Sequence, residues 1–313
     1  MEVQVQHSDK VGTAPFVGVN WGSSNFRAYR IAPDGALLDE WSQPSGVSGL
    51  GREGMADLMN QLAARWPDHG SVYACGMVGS NIGWQEAPYV EAPSNLTDVA
   101  RASIGTMIGS VSVRLVPGIC CEREFDGGPD ILRGEEIELF GLASLHPDWS
   151  GLVALPGTHT KWARFESGRI TEFFTSMSGE IFDKLTASGL LASIVEGEAN
   201  DGPEFLEGVR HAQENQLRLG TLLFGARARV IRGKLERKHA ASYLRGLLIG
   251  SEIADALTIY PQLKGNSIPL IGSSPVCKLY ASALTSLGVE AWVVDSREAC
   301  LAGFRALHMA TVP

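Results

Sequence analysis

Residues 16–31 read FVGVNWGSSNFRAYRI and residues 151–170 read GLVALPGTHTKWARFESGRI. Each stretch opens with an apolar run, breaks at a glycine flanked by hydroxyl residues, and resumes with alternating apolar and polar residues, the pattern of a β-hairpin. Asp34-Gly35 and Ser167-Gly168 supply a further turn after each. Aligning Gly22 with Gly157, an offset of 135 residues, sets Ser23 on Thr158, Asn25 on Thr160 and Ala28 on Ala163. One half of the chain is therefore expected to be a diverged copy of the other.

Working outward, Met55, Leu58, Met59, Leu62 and Trp66 fall on one face of a helix over residues 53–66. Residues 71–79 predict a buried strand, and residues 80–93, polar, aromatic and proline-broken, a loop with a functional role. A strand over 111–116, a turn at Pro117-Gly118 and an Asp- and Gly-rich loop over 122–130 lead to RGEEIELFGLASL, which reads as a helix. The second half is more helical, with an apolar helix over 241–257, a strand and Gly-Ser-Ser loop within 268–280, and a last strand over 291–294 running into a final helix. Strands alternating with helices in both halves give an α/β fold with helices on mixed sheets.

The chain has 313 residues, enough for two lobes of roughly 150 with a cleft between them; the boundary is expected near 148/149. Glycine is abundant, 36 of 313, or about 12% against a usual value near 7%, which means many tight turns or close backbone approaches. A net charge of −9 is the wrong sign for neutralising nucleic-acid phosphates or sitting on anionic lipid. No apolar run is long enough to span a membrane, and MEVQVQHSDK lacks the layout of a signal peptide, so neither nucleic acid nor membrane is an expected partner and the cytoplasm is the expected location. Five cysteines with no CxxC spacing fit reduced core thiols. A homo-oligomer is left open.

Glycine-hydroxyl turns between strands turn backbone N–H groups into one space, and the hydroxyls add donors, which suits phosphate oxygens. Two such turns, Gly22-Ser23-Ser24-Asn25 and Gly157-Thr158-His159-Thr160, facing each other across a cleft can clamp a triphosphate. Arg27 and Lys161, on the second strand of each hairpin, are placed to reach a transferring phosphoryl group or an anionic substrate. His159 has no partner at metal-ligand spacing and is expected to be a positioning donor. Glu135 and Glu136 either stabilise a helix N-terminus or supply the carboxylate that takes a proton from an acceptor hydroxyl. GxGxxG after a first strand and GxxxxGK[ST] are both missing, against a Rossmann dehydrogenase or a P-loop kinase.

The paired hairpins and the Gly-Ser-Ser loop at 272–274 resemble the sugar kinase, hexokinase, Hsp70 and actin superfamily. Within it, NWGSSNFRAYR, GMVGSNIGWQEAPY, RGEE, PGTHTKW, SMSGE and GLLIGSEIA look like the 2-dehydro-3-deoxygalactonokinase family, over about residues 16–307. The resemblance implies two ribonuclease-H-like lobes in an actin-like ATPase architecture. It also implies ATP-dependent phosphorylation of the 6-hydroxyl of 2-dehydro-3-deoxy-D-galactonate, with Mg²⁺, in the De Ley-Doudoroff route. The first phosphate loop falls on Trp21, Gly22, Ser23, Ser24 and Asn25, the second on Gly157, Thr158, His159 and Thr160, and the adenosine loop on Gly272, Ser273 and Ser274. Glu135 or Glu136 takes the place of the catalytic carboxylate; Ser80, Asn81 and Trp84 line the sugar-acid pocket, with Arg27 facing its carboxylate or the phosphate. The family pattern starts the first loop with Asp, where this chain has Asn20, an oxygen without charge to hold Mg²⁺ through water. Alternatives are a kinase of another small sugar or sugar acid, a sensor of the same fold with impaired catalysis, and an exopolyphosphatase-type phosphatase.

Overall fold

The computed structural model describes residues 14–214 and 217–311; the N-terminal segment read above for a signal peptide lies outside them. β1 (Phe16–Trp21), β2 (Phe26–Ile31) and β3 (Leu37–Gln43) form an antiparallel meander. After α1 (Arg52–Arg65), β4 (Val72–Gly76) returns parallel to β1. β5 (Tyr89–Glu91), α2 (Leu96–Ala102), β6 (Ile104–Ile108), β7 (Val111–Leu115), β8 (Gly118–Glu122) and β9 (Pro129–Leu132) precede α3 (Glu135–Leu145).

The second half repeats the plan. β10 (Gly151–Leu155), β11 (Thr160–Glu166) and β12 (Arg169–Ser176) form another antiparallel meander. There follow α4 (Ser178–Ala187), α5 (Gly189–Ala192), α6 (Pro203–Glu214), α7 (Leu219–Ile231) and α8 (Arg237–Ile259). β13 (Ser267–Gly272), α9 (Ser274–Ser286), β14 (Glu290–Asp295) and α10 (Ser296–Thr311) complete the chain. The first sheet has the order β3-β2-β1-β4-β7-β6 and the second β12-β11-β10-β13-β14. The first five strands of one match the second in order and direction, two antiparallel pairs followed by two parallel ones. The duplication expected from the 135-residue offset is therefore present in the topology.

Central strands are buried on both faces because helices cover both sides. Val17, Val19 and Trp21 of β1 pack with Met55, Leu58, Met59 and Leu62 of α1, whereas Phe16 faces Phe304 and Leu307 of α10. α3 and α10 cross at Gly141 and Gly303, where a Cβ on either would overlap the other helix's backbone. α10 thus packs against α3 and α2, beside the first sheet, although it lies in the second half of the chain.

Two sequence expectations are corrected. Pro117-Gly118 is not a turn: Gly118 opens β8, paired with β5 on one side and β9 on the other. The presumed loops over 80–93 and 122–130 thus contribute strands to a third sheet, β5-β8-β9. These strands are short and carry little periodicity, and their pairing joins segments about thirty residues apart, which no local pattern reports. All five cysteines are free, as expected. Among the described residues no helix is long and apolar enough to cross a membrane.

Candidate functional site

β1 and β2 pair up to Trp21↔Phe26, leaving Gly22-Ser23-Ser24-Asn25 as a closed loop with Gly22 N–H donating to the Asn25 carbonyl at 2.9 Å. The carbonyls of Gly22, Ser23 and Ser24 accept from the amides of Val47, Ser48 and Gly46 at 3.0–3.1 Å. The chain behind the loop thus takes its acceptors, and the exposed hydroxyls of Ser23 and Ser24 remain on the open side. A cavity of about 260 Å³ is lined by Asn20, Gly22, Ser23, Ser24, Asn25, Arg27 and Thr158. The fold therefore brings the first loop together with a residue of the second.

The second loop is braced in a parallel way. Glu180 N–H donates to the Thr158 carbonyl at 2.9 Å, and His159 Nε2 meets Glu180 Oε2 at 2.6 Å, which holds the Glu180 carboxyl below its usual range. Thr158 and His159 are exposed, but Thr160 is fully buried with its hydroxyl against Tyr280 Oη at 2.8 Å. Lys161 is also buried, its ammonium donating to the Ile131 carbonyl at 2.7 Å and Thr175 Oγ1 at 2.8 Å, whereas Arg27 is exposed and lines the cavity. Arg27 stands opposite Asn20 and Lys161 opposite Leu155, so both lie on the sheet faces that carry Tyr29 and Ala163 into one core cluster; what differs is the cover, since Lys161 is bonded to β9 and β12 while Arg27 stays open to the cavity. Gly272 lies beside the second loop, where an added Cβ would be 3.3 Å from the Pro156 carbonyl oxygen. Ser273 and Ser274 are exposed at the start of α9, whose N-terminal amides favour an anion.

α3 starts near the end of β1, because Gly134 lies against Gly76, which in turn faces the Trp21 carbonyl. Glu135 Oε2 accepts from Arg133 N–H at 2.9 Å and Glu136 Oε2 from Gly134 N–H at 2.5 Å. Glu136 is fully buried with Oε1 unpartnered; burial, and then repulsion from Glu135, push its carboxyl up to about 8. Glu135 keeps part of its surface exposed. In the loop after β4, Ser80 is buried and donates to the Met77 carbonyl at 2.7 Å, Asn81 is exposed, and Trp84 lies 4.1 Å under the Arg52 guanidinium.

One carboxylate escaped the sequence reading. Glu138 accepts from Ser296 Oγ and lies against the Cys300 thiol, while Asn20 Nδ2 donates to the same sulfur at 3.6 Å. Burial pushes Glu138 up to about 7, with the Ser296 hydrogen bond pulling the other way. Its signal was the third glutamate of RGEEIE, one helical turn beyond Glu135. Asn20 and the Ser23 and Ser24 hydroxyls line the cavity, with Glu138 linked to Asn20 through Cys300, a sparse oxygen set. Such a set fits a Mg²⁺ that keeps most of its waters; among the described residues no cluster of three His, Cys, Asp or Glu side chains could hold a metal outright.

A family model described as 2-keto-3-deoxy-galactonokinase matches residues 20–307. A protein of Rhizobium meliloti (strain 1021) named as a probable 2-dehydro-3-deoxygalactonokinase is 35% identical over 95% of this chain and 98% of its own. The 2-dehydro-3-deoxygalactonokinase of Escherichia coli (strain K12) is 31% identical over 94% and 98%. A crystal structure of a Sinorhizobium meliloti protein provisionally assigned the same name superposes with a TM-score of 0.88 at 33% identity, covering 95% of this chain and 99% of that one. With the duplicated sheet topology, the facing loops and this near-complete coverage, the chain belongs to the 2-keto-3-deoxy-galactonokinase family.

Proposed function

We propose that this chain transfers the γ-phosphoryl group of ATP to the 6-hydroxyl of 2-dehydro-3-deoxy-D-galactonate. The observation that carries the reading is the cavity in which Ser23, Ser24 and Asn25 face Thr158 across the cleft. Loop amides and hydroxyls from both sides hold phosphate oxygens there, and Arg27 on the cavity wall offsets charge on the transferring group. Gly272, Ser273 and Ser274 place the α9 N-terminus beside the second loop to receive the nucleoside end. Mg²⁺, held through water at Asn20, neutralises phosphate charge when bound. Glu135 takes the proton as the hydroxyl oxygen bonds to the γ-phosphorus and ADP departs with the bond electrons. Asn81 and Trp84, with Ser80 fixing their loop, form the wall that meets the sugar acid. The lobes, residues 1–148 and 149–313 with α10 crossing back, close to exclude water.

An ADP-release assay over a panel of 2-keto-3-deoxy acids, hexoses and glycerol, with a control lacking acceptor, tests this. The expected result is turnover that needs both the carboxylate and the free terminal hydroxyl of a 2-keto-3-deoxy hexonic acid. Equal turnover of glucose or glycerol overturns it.

A further inference from the structure

Three of the strings that carried the family resemblance, PGTHTKW, SMSGE and GLLIGSEIA, meet at one side chain. Glu252, mid-way along α8 and only 3% exposed, accepts from Trp162 Nε1 at 2.7 Å, from Ser178 Oγ, and from Tyr280 Oη at 2.9 Å. Tyr280 gives its one proton to Glu252, so the 2.8 Å contact with Thr160 Oγ1 runs from Thr160 to Tyr280. A directed chain, Thr160 to Tyr280 to Glu252, thus joins the base of the second loop to α9, and Ser178 adds the first turn of α4. Stability does not call for this arrangement, since apolar residues of similar volume usually serve a core as well or better than a buried charge. What such a carboxylate adds is a fixed geometry between its own helix, α8, and the three segments it binds, β11, α4 and α9.

We infer that Glu252 is a positioning residue for the nucleotide, holding the second phosphate loop and the N-terminal end of α9 at one spacing through Thr160, Trp162, Ser178 and Tyr280. The inference rests on the kinase reading for the identity of that ligand. A triphosphate gripped by the loop and a nucleoside seated at the start of α9 must be met at a set distance. The hub lies behind both and touches neither.

Tyr280→Phe cuts the link between Thr160 and Glu252 while leaving the Trp162 and Ser178 donors on the carboxylate. Glu252→Gln keeps the volume; its amide must either face the Trp162 N–H, donor to donor, or reverse the hydroxyl chain. ADP affinity is measured by calorimetry on the whole protein, alongside KM for ATP, KM for the sugar acid, and Tm. In both variants the ADP Kd and the ATP KM are expected to rise roughly 5- to 30-fold, the effect of losing one or two buried hydrogen bonds, with the acceptor KM unchanged. A merely structural role lowers Tm and the active fraction without separating the two KM values. Folded Tyr280→Phe that binds ADP as the wild type does, or equal rises in both KM values, overturns the inference, as does a wild type that does not bind ADP. A wild type that binds ADP yet phosphorylates no acceptor overturns the kinase reading alone, because the ADP affinities still decide the role of Glu252.

Discussion

Gly46 and Gly179 hold equivalent places in the two halves, each three residues beyond the third strand of its meander and pressed against the loop of its own hairpin. A Cβ at position 46 would overlap the Ser23 carbonyl, and one at 179 would overlap the Gly157 carbonyl and come within 2.8 Å of the Thr158 oxygen. Gly46 N–H donates to the Ser24 carbonyl at 3.0 Å, and its counterpart bond, from Glu180 N–H to Thr158, is 2.9 Å. Each loop is thus set from behind by a backbone that tolerates no side chain.

Gly46→Ala and Gly179→Ala therefore push the loops toward the cleft. The expected cost is about 1–3 kcal/mol of stability, as for overpacking elsewhere, together with a rise of tenfold or more in KM for ATP. Chemical denaturation and steady-state kinetics measure both. Wild-type KM in either variant would mean that its loop does not bind nucleotide through its present shape.

The two candidate bases separate on burial. A carboxyl raised to about 8 holds its proton at neutral pH and cannot accept another, which describes Glu136, whereas Glu135 keeps part of its surface exposed. Glu135→Gln is expected to lower kcat by about 10²–10⁴ with ADP affinity intact, and Glu136→Gln to stay within a few-fold of wild type. Glu136 in the folded chain keeps its proton up to about pH 8, while in the unfolded chain it loses it above the usual range for glutamate. Its contribution is thus most favourable at low pH and is lost as pH rises toward 8. Glu136→Gln should flatten the decline in stability over that interval; thermal unfolding across pH measures it, and an unchanged slope with a collapsed kcat would reverse the assignment.

The hairpins, their offset and the helices read over 53–66 and over RGEEIELFGLASL, residues 133–145, were legible because each is written in one continuous local stretch. The β5-β8-β9 sheet was not, and neither was the hub at Glu252, whose partners at 160, 162, 178 and 280 are brought together only by the packing of α8 and α9 on the second sheet. Thr160 and Ser80 show the limit from the other side. Their hydroxyls suggested ligand contacts, but a hydroxyl bonded inward to Tyr280 or Met77 has the same sequence signature as one facing the cleft.

Asn20 tests how the first loop manages with an amide where the resemblance implied a carboxylate. Its amide nitrogen is tied to Cys300, and the Glu138 carboxyl, raised by burial to about 7, lies against the same sulfur, so the nearest acid is only partly charged at neutral pH. Asn20→Asp adds a second carboxylate and loses the donor to Cys300. The half-saturating Mg²⁺ concentration is expected to fall, since a hard cation prefers anionic oxygen; titration of activity and of ADP binding against Mg²⁺ reads it. Identical Mg²⁺ dependence would show that this position does not limit metal binding.

Lys161 decides between two uses of a lysine in a phosphate hairpin. The residue is 7% exposed, and its ammonium donates to the Ile131 carbonyl and to Thr175 Oγ1, which itself donates to Asp130. These bonds tie β9, the strand that leads into Arg133 and Glu135, to β11 and β12. Lys161→Met keeps the chain length of the stem but removes the hydrogen bonds of a charged donor to the Ile131 carbonyl and Thr175 Oγ1, which costs about 1.5–3 kcal/mol. Stability should fall by that amount, with kcat reduced because β9 no longer fixes the start of α3 and with KM for ATP within about twofold. A tenfold rise in KM for ATP at unchanged stability would instead mean that the ammonium turns out of this position to meet phosphate when nucleotide binds.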